Sequence, residues 1–179
     1  MGKLIVTEFL TADGRMDDPG EWTPAYFDEQ VQKIKADEYF GAAALLFGGN
    51  TFRTHAAAWP LEHDDFATRL NTMKKYVVST TADASTWNNT EAITSNAPNA
   101  IRKLKDQTDG DILTDGSTTL VDMLLREGLV DQLNLLVFPE IYGRGKVLFQ
   151  EGTRHKMKVS TCQLLDAGAV HLVYEVDPS

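Results

Sequence analysis

Cysteine is almost absent. Cys162 stands alone in the 179-residue chain, so no intramolecular disulfide can form. A lone small thiol suits a reducing compartment, and a chain of this length buries about 70% of its unfolded surface without covalent staples. Basic residues are also few. Lys and Arg number 17 against 26 Asp and Glu, a formal net charge of −9. That balance argues against a duplex nucleic-acid binder, which needs a basic face to displace counterions, and against an anionic membrane surface as partner. A small anion is still admissible, because the N–H groups at a helix N-terminus can hold one against a distant negative field. Long apolar runs are missing too. Leu4-Ile5-Val6 is broken by Thr7 and Glu8, short of a secretory core, and no stretch reaches the roughly 18 residues of a membrane span. Val6 stands where a myristoylation signal needs Ser or Thr, and the sequon Asn88-Asn89-Thr90 has no meaning without secretion. A cytoplasmic location is expected.

Familiar catalytic signatures are absent as well. His55, His63, His155 and His171 have no ligand spacing among themselves or with Cys162, so no metal is expected. His55 reads as a surface or internally satisfied side chain. There is no G-x-S-x-G elbow, no G-x-G-x-x-G and no phosphate-binding P-loop. Gly143-Arg144-Gly145-Lys146 lacks the third glycine of a dinucleotide fingerprint and reads as a turn.

What is present is an alternation of short β-rich runs with helical stretches. Leu4 to Leu10 reads as a first strand, closed by the turn Ala12-Asp13-Gly14. Thr23 reads as the cap of a helix with Pro24 in its first turn, running to about Tyr39. Ala42 to Phe47 is a continuous apolar run, a strand buried on both faces that feeds a helix. Further strands are expected at Lys75 to Thr80, Ala92 to Thr94, Asp111 to Thr114 and Gln132 to Phe138. Helices are expected from Asn96 or Pro98 to Lys105, and from Thr118 to Glu127 with Gly128 closing it. Met157 to Asp166 and Ala169 to Val176 read as a terminal antiparallel hairpin. The pattern predicts one α/β domain over residues 1–179, with a mainly parallel sheet covered on both faces and an antiparallel end. Such sheets bind ligands beyond the carboxyl ends of their strands.

Two segments share a strand–glycine–polar–helix design: Leu46-Phe47-Gly48-Gly49-Asn50-Thr51 and Leu113-Thr114-Asp115-Gly116-Ser117-Thr118-Thr119. Glycine admits a close ligand, and the helix start offers free N–H groups with about half a positive charge. Two such termini could hold the two ends of a pyrophosphate; the plainer alternative is that Asn50 and Ser117 are ordinary N-caps. Ser79-Thr80-Thr81 ends a strand at the same edge. The stretch from Asp13 to Asp28, with Trp22, Tyr26 and Phe27, could close over a flat substrate or be an acidic surface loop anchored by its Trp.

These pieces, in order, resemble one family. Thr11-Ala12-Asp13-Gly14-Arg15 is similar to the S-L-D-G-R segment of the riboflavin-biosynthesis reductase domain (the RibD C-terminal domain). Leu45-Leu46-Phe47-Gly48-Gly49-Asn50-Thr51-Phe52 with Trp59-Pro60 resembles the L-L-x-G-R-x-T-Y…W-P segment of bacterial dihydrofolate-reductase-like proteins, and Lys75-Tyr76-Val77-Val78-Ser79-Thr80-Thr81 resembles their K-Y-V-V-S-x-T strand. Gly116-Ser117, Leu120, Leu129-Val130-Asp131-Gln132-Leu133, Pro139, Gly143, Gly145 and Leu148-Phe149 follow their G-S-x-x-L…L-V-D-E-L…P…G-x-G-x-x-L-F signature. Each motif is weak by itself; the ordered set is specific.

The resemblance implies a dihydrofolate reductase-like three-layer sandwich and NAD(P)H-dependent hydride transfer. The substrate would be of pterin, pyrimidine or ribosylaminopyrimidine type, as for 5-amino-6-(5-phosphoribosylamino)uracil reductase. It places Gly48, Asn50 and Thr51 at the first phosphate-holding helix terminus. Ser79 and Thr80 fall at the adenosine ribose or its phosphate, and Gly116, Ser117, Thr118 and Thr119 at the second diphosphate site. Gly49 stands where the family has an Arg for the 2′-phosphate of NADPH, so NADH is a possible cofactor, unless Lys74, Lys75 or Arg53 compensates. Asp13 and Asp28 are the candidate proton-carrying or substrate-polarising carboxyls, and Trp22 and Tyr26 the candidate substrate walls. A homodimer is expected, with the strand Leu133 to Phe138 near its interface. The alternative is a non-catalytic nucleotide-binding protein on the same fold.

Overall fold

A computed structural model describes residues 2–177. Eight strands join in one sheet in the order β4-β3-β2-β5-β1-β6-β8-β7. They are β1 (Leu4–Thr11), β2 (Ala44–Gly48), β3 (Lys74–Val78), β4 (Thr90–Ile93), β5 (Ile112–Thr114), β6 (Gln132–Phe138), β7 (Met157–Leu164) and β8 (Val170–Val176). Pairing is parallel from β4 across to β6, and antiparallel for β6–β8 and β7–β8. The expected parallel body with an antiparallel end is therefore present. β6 is internal, with β1 on one side and β8 on the other. The edge strands are β4 and β7, and β7 exposes Val159 and Leu164.

Helices cover both faces. α5 (Ala97–Gln107) and α6 (Thr118–Arg126) lay Ile101, Leu104, Leu120, Val121 and Leu124 on Leu4, Val6, Leu46 and Ile112. On the other face α2 (Glu29–Gly41), α3 (Gly49–Ala58) and α4 (Asp65–Thr72) bring Tyr39, Phe52 and Leu70 onto Leu45, Phe47, Val77 and Leu113. β2 is buried at every position, as its uninterrupted apolar run requires.

The helix expected from Thr23 to Tyr39 is instead one turn, α1 (Pro19–Trp22), followed by α2. Pro19 starts the earlier turn after Asp18 in the left-handed region, and the Thr23 hydroxyl donates back to the Pro19 carbonyl at 2.7 Å. The cap of α2 is Asp28, whose carboxylate accepts from the Val31 N–H at 2.9 Å. α4 had no sequence expectation; Asp64 caps it through the Ala67 N–H at 2.7 Å.

Candidate active site

β1 pairs with β5 only as far as Val6 opposite Thr114. Beyond that register β1 continues along β6 alone, to Thr11 opposite Phe138. The strands part there, at their carboxyl ends, and two cavities open beside the gap. The smaller, about 410 Å³, is lined by Gly48, Gly49, Asn50 and Arg53 of β2 and α3, Val78, Ser79 and Thr81 after β3, and Ser117, Thr119 and Leu120 at the start of α6. The larger, about 580 Å³, includes Thr7, Glu8 and Phe9 of β1, Lys35 and Tyr39 of α2, Thr51 and His55 of α3, and Asp115. Asn50 and Ser117 line both, so the two spaces share a wall.

The smaller cavity is built from two helix starts. Gly48 occupies the N-cap position of α3 and Ser117 that of α6, and neither helix has a side-chain cap bond, unlike α2 and α4. Asn50 is thus inside α3 rather than its cap, and the Ser117 side chain does not cap α6. The two starts are close because residue 48 has no side chain. A Cβ there would lie 2.3 Å from Ser117 Oγ and 3.0 Å from the Ser117 backbone N. Gly116 sits at φ +116°, where L side chains are strained, and a Cβ on it would come within 3.1 Å of Thr51 Oγ1. The Gly116–Ser117 peptide is cis.

Most predicted cofactor residues converge here. Gly48, Asn50, Ser79, Ser117 and Thr119 line the smaller cavity; Thr51 and Thr118 face the larger one. Gly116 is in the lining of neither cavity but immediately precedes Ser117, which lines both. Thr80 is exposed and lines neither cavity; its neighbour Thr81 does, because β3 ends at Val78 and the chain turns there through bonds from the Thr81 and Ala82 N–H groups to Ser79 Oγ. Arg53 supplies the cation near Gly49, bonding Asn50 Oδ1 at 2.8 Å and Thr81 Oγ1 at 2.7 Å. Lys74 pairs with Glu91 instead, and Lys75 is fully buried, donating to the carbonyls of Leu70 and Met73.

Four predicted substrate or catalytic residues are placed elsewhere. Asp13 accepts from Thr11 Oγ1 at 2.6 Å and from the Tyr142 and Gly143 N–H groups at 3.1 and 3.0 Å. The Thr11 hydroxyl and then these backbone donors hold its carboxyl well below the usual carboxylate range, as suits an anchor for the Gly143–Lys146 turn. Asp28 caps α2 and also accepts from the Ala167 N–H, and the Val31 N–H foremost keeps its pKa low. Both carboxyls are thus held low by hydrogen bonds that fix turns and a helix start, and neither lines either of the two cavities. Trp22 is 1% exposed, with its indole N–H on the Asp17 carbonyl, and Tyr26 packs on the Trp22–Phe138 cluster. Neither lines either of these two cavities. Phe27 does, together with Trp59 and Phe66.

Three further ionisable groups of the larger cavity, Glu8, His55 and Asp115, had no functional role assigned from the sequence. Asp115 Oδ2 accepts from Tyr39 Oη at 2.6 Å and meets His55 Nε2 at 2.9 Å, while its Oδ1 is buried without a partner. Burial works against charge on both Asp115 and His55. The mutual charge and hydrogen bond outweigh it, so Asp115 titrates low and His55 high. Glu8 is 6% exposed and its Oε1 has no hydrogen-bond partner. Burial first, and the Asp115 charge second, push its carboxyl well above the ordinary range. Lys35 opposes this, but is itself paired with Glu38 at 2.9 Å. The signal for Glu8 was its register. Leu4, Val6 and Leu10 share its face of β1 and are all buried, so a carboxyl at position 8 breaks an apolar stripe. Asp115 and His55 lay sixty residues apart with no spacing to link them.

Among the described residues no group of three or more His, Cys, Asp or Glu is placed to hold a metal ion, and no helix is long and apolar enough to cross a membrane.

Comparison with known proteins matches this architecture. The uncharacterized protein YyaP of Bacillus subtilis is 30% identical over 136 residues, covering 73% of this chain and 72% of its own. A solved structure from Shewanella sp. PV-4 superposes with a TM-score of 0.80 at 18% identity, covering 99% of both chains. Dihydrofolate reductase from Enterococcus faecalis, solved with NADP(H), superposes at 0.64 with 13% identity, covering 98% of this chain and 97% of its own. The fold is thus that of dihydrofolate reductase, as expected. The model of the RibD C-terminal domain matches residues 2–171. The chain belongs to the RibD C-terminal domain family.

Proposed function

We propose that this protein is a cytoplasmic NAD(P)H-dependent reductase acting on a small heterocyclic substrate of pterin or pyrimidine type. The observation that carries the reading is the pair of cavities meeting at Asn50 and Ser117, one built on two helix starts, the other larger and walled by aromatic rings. Residues of the first fit a dinucleotide. Gly48 and Gly116 let Ser117 and Thr51 approach so that the two helix starts lie side by side, and uncapped first-turn N–H groups of α3 and α6 suit the two phosphates. A bound nicotinamide dinucleotide would supply a hydride; the chain would bind it, orient it and keep water from the reacting atoms. Arg53 with Ser79 and Thr81 offers a guanidinium and two hydroxyls to a ribose 2′-phosphate, which favours NADPH over NADH despite Gly49. Phe27, Trp59 and Phe66 would enclose a flat ring. We expect a homodimer, with the exposed side of β7 the open face of the sheet.

Thermal unfolding with NADPH, NADH and neither tests the cofactor. At about 100 times its dissociation constant a ligand specific for the folded state adds about 2.7 kcal/mol, so a clear rise in midpoint is expected with NADPH and a smaller one with NADH. No shift at millimolar concentration would refute the reading. Nucleotide oxidation is then followed with a dihydropterin, folate and the pyrimidine intermediates of riboflavin synthesis as acceptors. Binding without oxidation by any of them would instead support a non-catalytic nucleotide-binding protein.

A further inference from the structure

We propose that Glu8 is the proton donor of the reduction, a neutral acid kept at the wall of the substrate cavity. The assignment rests on the reductase reading above but uses different residues. Glu8 is buried within the sheet and is part of the lining of the larger cavity, and its Oε1 is buried without a partner. That oxygen is also next to the wall the two cavities share, since a Cβ on Gly116, the neighbour of Ser117, would lie 3.6 Å from it. A buried carboxylate with no donor would be costly, whereas a carboxylic acid beside a ligand that accepts its hydrogen bond is not. The ligand that satisfies it must present an acceptor, the nitrogen of a C=N bond or the oxygen of a C=O bond.

The surrounding groups fix which carboxyl keeps the proton. Asp115, at the end of β5, is tied to His55 of α3 and Tyr39 of α2 and stays an anion. Its charge, with burial, disfavours a second anion at Glu8. Lys35 of α2 pulls the other way, but Glu38 on the same helix and the Thr7 hydroxyl hold its ammonium, and Lys146 is the remaining cation on the wall. Asp17 and Asp18 also line the cavity; Glu8 and Asp115 are the two of its four carboxyls that are driven to opposite states, the arrangement that separates an acid from a fixed charge.

The step balances as follows. The substrate carbon gains a hydride, the π pair of the double bond moves to the nitrogen or oxygen, and a new N–H or O–H bond forms as the Glu8 O–H bond breaks. The two electrons come from the reduced nicotinamide dinucleotide of the proposed function. Glu8 is left as a carboxylate and takes its next proton from water.

Infrared difference spectra of the intact protein against Glu8→Gln at pH 7 test the protonation state without any substrate. A carboxylic-acid carbonyl band lost in the variant is expected; no such band in the parent protein, or its persistence in the variant, overturns the proposal. Affinity for NADPH is measured on both proteins in parallel. Equal affinity is expected, and failure of the parent to bind refutes the reductase reading, not the state of Glu8. With the acceptor that the oxidation screen identifies, Glu8→Gln should lower kcat about 10²- to 10⁴-fold. It should also remove the fall in rate that the parent shows as pH rises through the Glu8 pKa. A variant that keeps the parent's kcat and pH profile would rule out Glu8 as donor.

Discussion

Glu8 and Asp115 show how one residue's charge depends on its neighbours. Glu8 binds its proton more tightly in the folded chain than in the unfolded one, so the folded state holds more protons and stability falls as pH rises from about 4.5 through the raised pKa. Glu8→Gln removes that penalty. Its melting temperature should exceed that of the parent at pH 8, and the difference should vanish below about pH 4.5, where both states of the parent are protonated; a constant difference across that range would mean that Glu8 does not titrate as described. The His55–Asp115 pair behaves differently. His55 titrates high, so its contribution is complete below about 6.5 and is lost as pH rises through the raised value. Asp115 titrates low, so its contribution is complete above about 3.8 and is lost as pH falls through the depressed value. Asp115→Asn should cost about 1.5–3 kcal/mol at pH 6 by urea unfolding, in line with a charged hydrogen bond that is mostly shielded from water. Arg53→Ala should leave the fold intact and weaken NADPH about tenfold or more relative to NADH, read as two dissociation constants; equal losses for both would remove Arg53 from 2′-phosphate recognition.

Elements decide where these residues meet. α3 and α6 start side by side because Gly48 lets Ser117 approach, so Gly48→Ala should destabilise the chain by about 1–3 kcal/mol through overpacking and weaken dinucleotide binding as well. Unchanged binding in a folded variant would mean that the spacing of the two helix starts does not matter. The strand–glycine–helix design of these two segments was legible because it is local: apolar run, glycine and polar residues follow one another in the chain. β2, the β7–β8 hairpin and the parallel body were legible for the same reason. The break at Thr23 was not, since what stops a helix there is the Thr23 hydroxyl bonding back to Pro19 and the Asp28 carboxylate bonding forward to Val31, two competing local bonds with similar sequence signatures. α4 is short and depends on the Asp64 cap and on Leu70 meeting the Tyr39–Phe47 cluster, a tertiary contact. Asp13 and Asp28 look free in the sequence because Tyr142, Gly143 and Ala167, whose N–H groups they accept from, are more than a hundred residues away.

At the scale of the whole molecule, the excess of acidic residues and the proposed anionic cofactor are reconciled by geometry. Negative net charge of −9 opposes a dinucleotide at long range, and screening at physiological salt weakens that opposition beyond about 8 Å. Binding then depends on what lies within a few ångströms: two uncapped helix starts and Arg53. The sheet supplies the rest by ending the β1–β5 pairing at Val6 and Thr114, so that a cavity forms where the strands part and both helix starts point toward it. The most direct measurement of this account is a titration of isotope-labelled protein with NADPH, followed by backbone amide chemical shifts. The amides of Gly49, Asn50, Thr51, Thr118 and Thr119 should move together and saturate at one stoichiometric equivalent, with Ser79 and Thr81 following the 2′-phosphate when NADH is used for comparison. Shifts confined to other surfaces, or none at millimolar nucleotide, would contradict it.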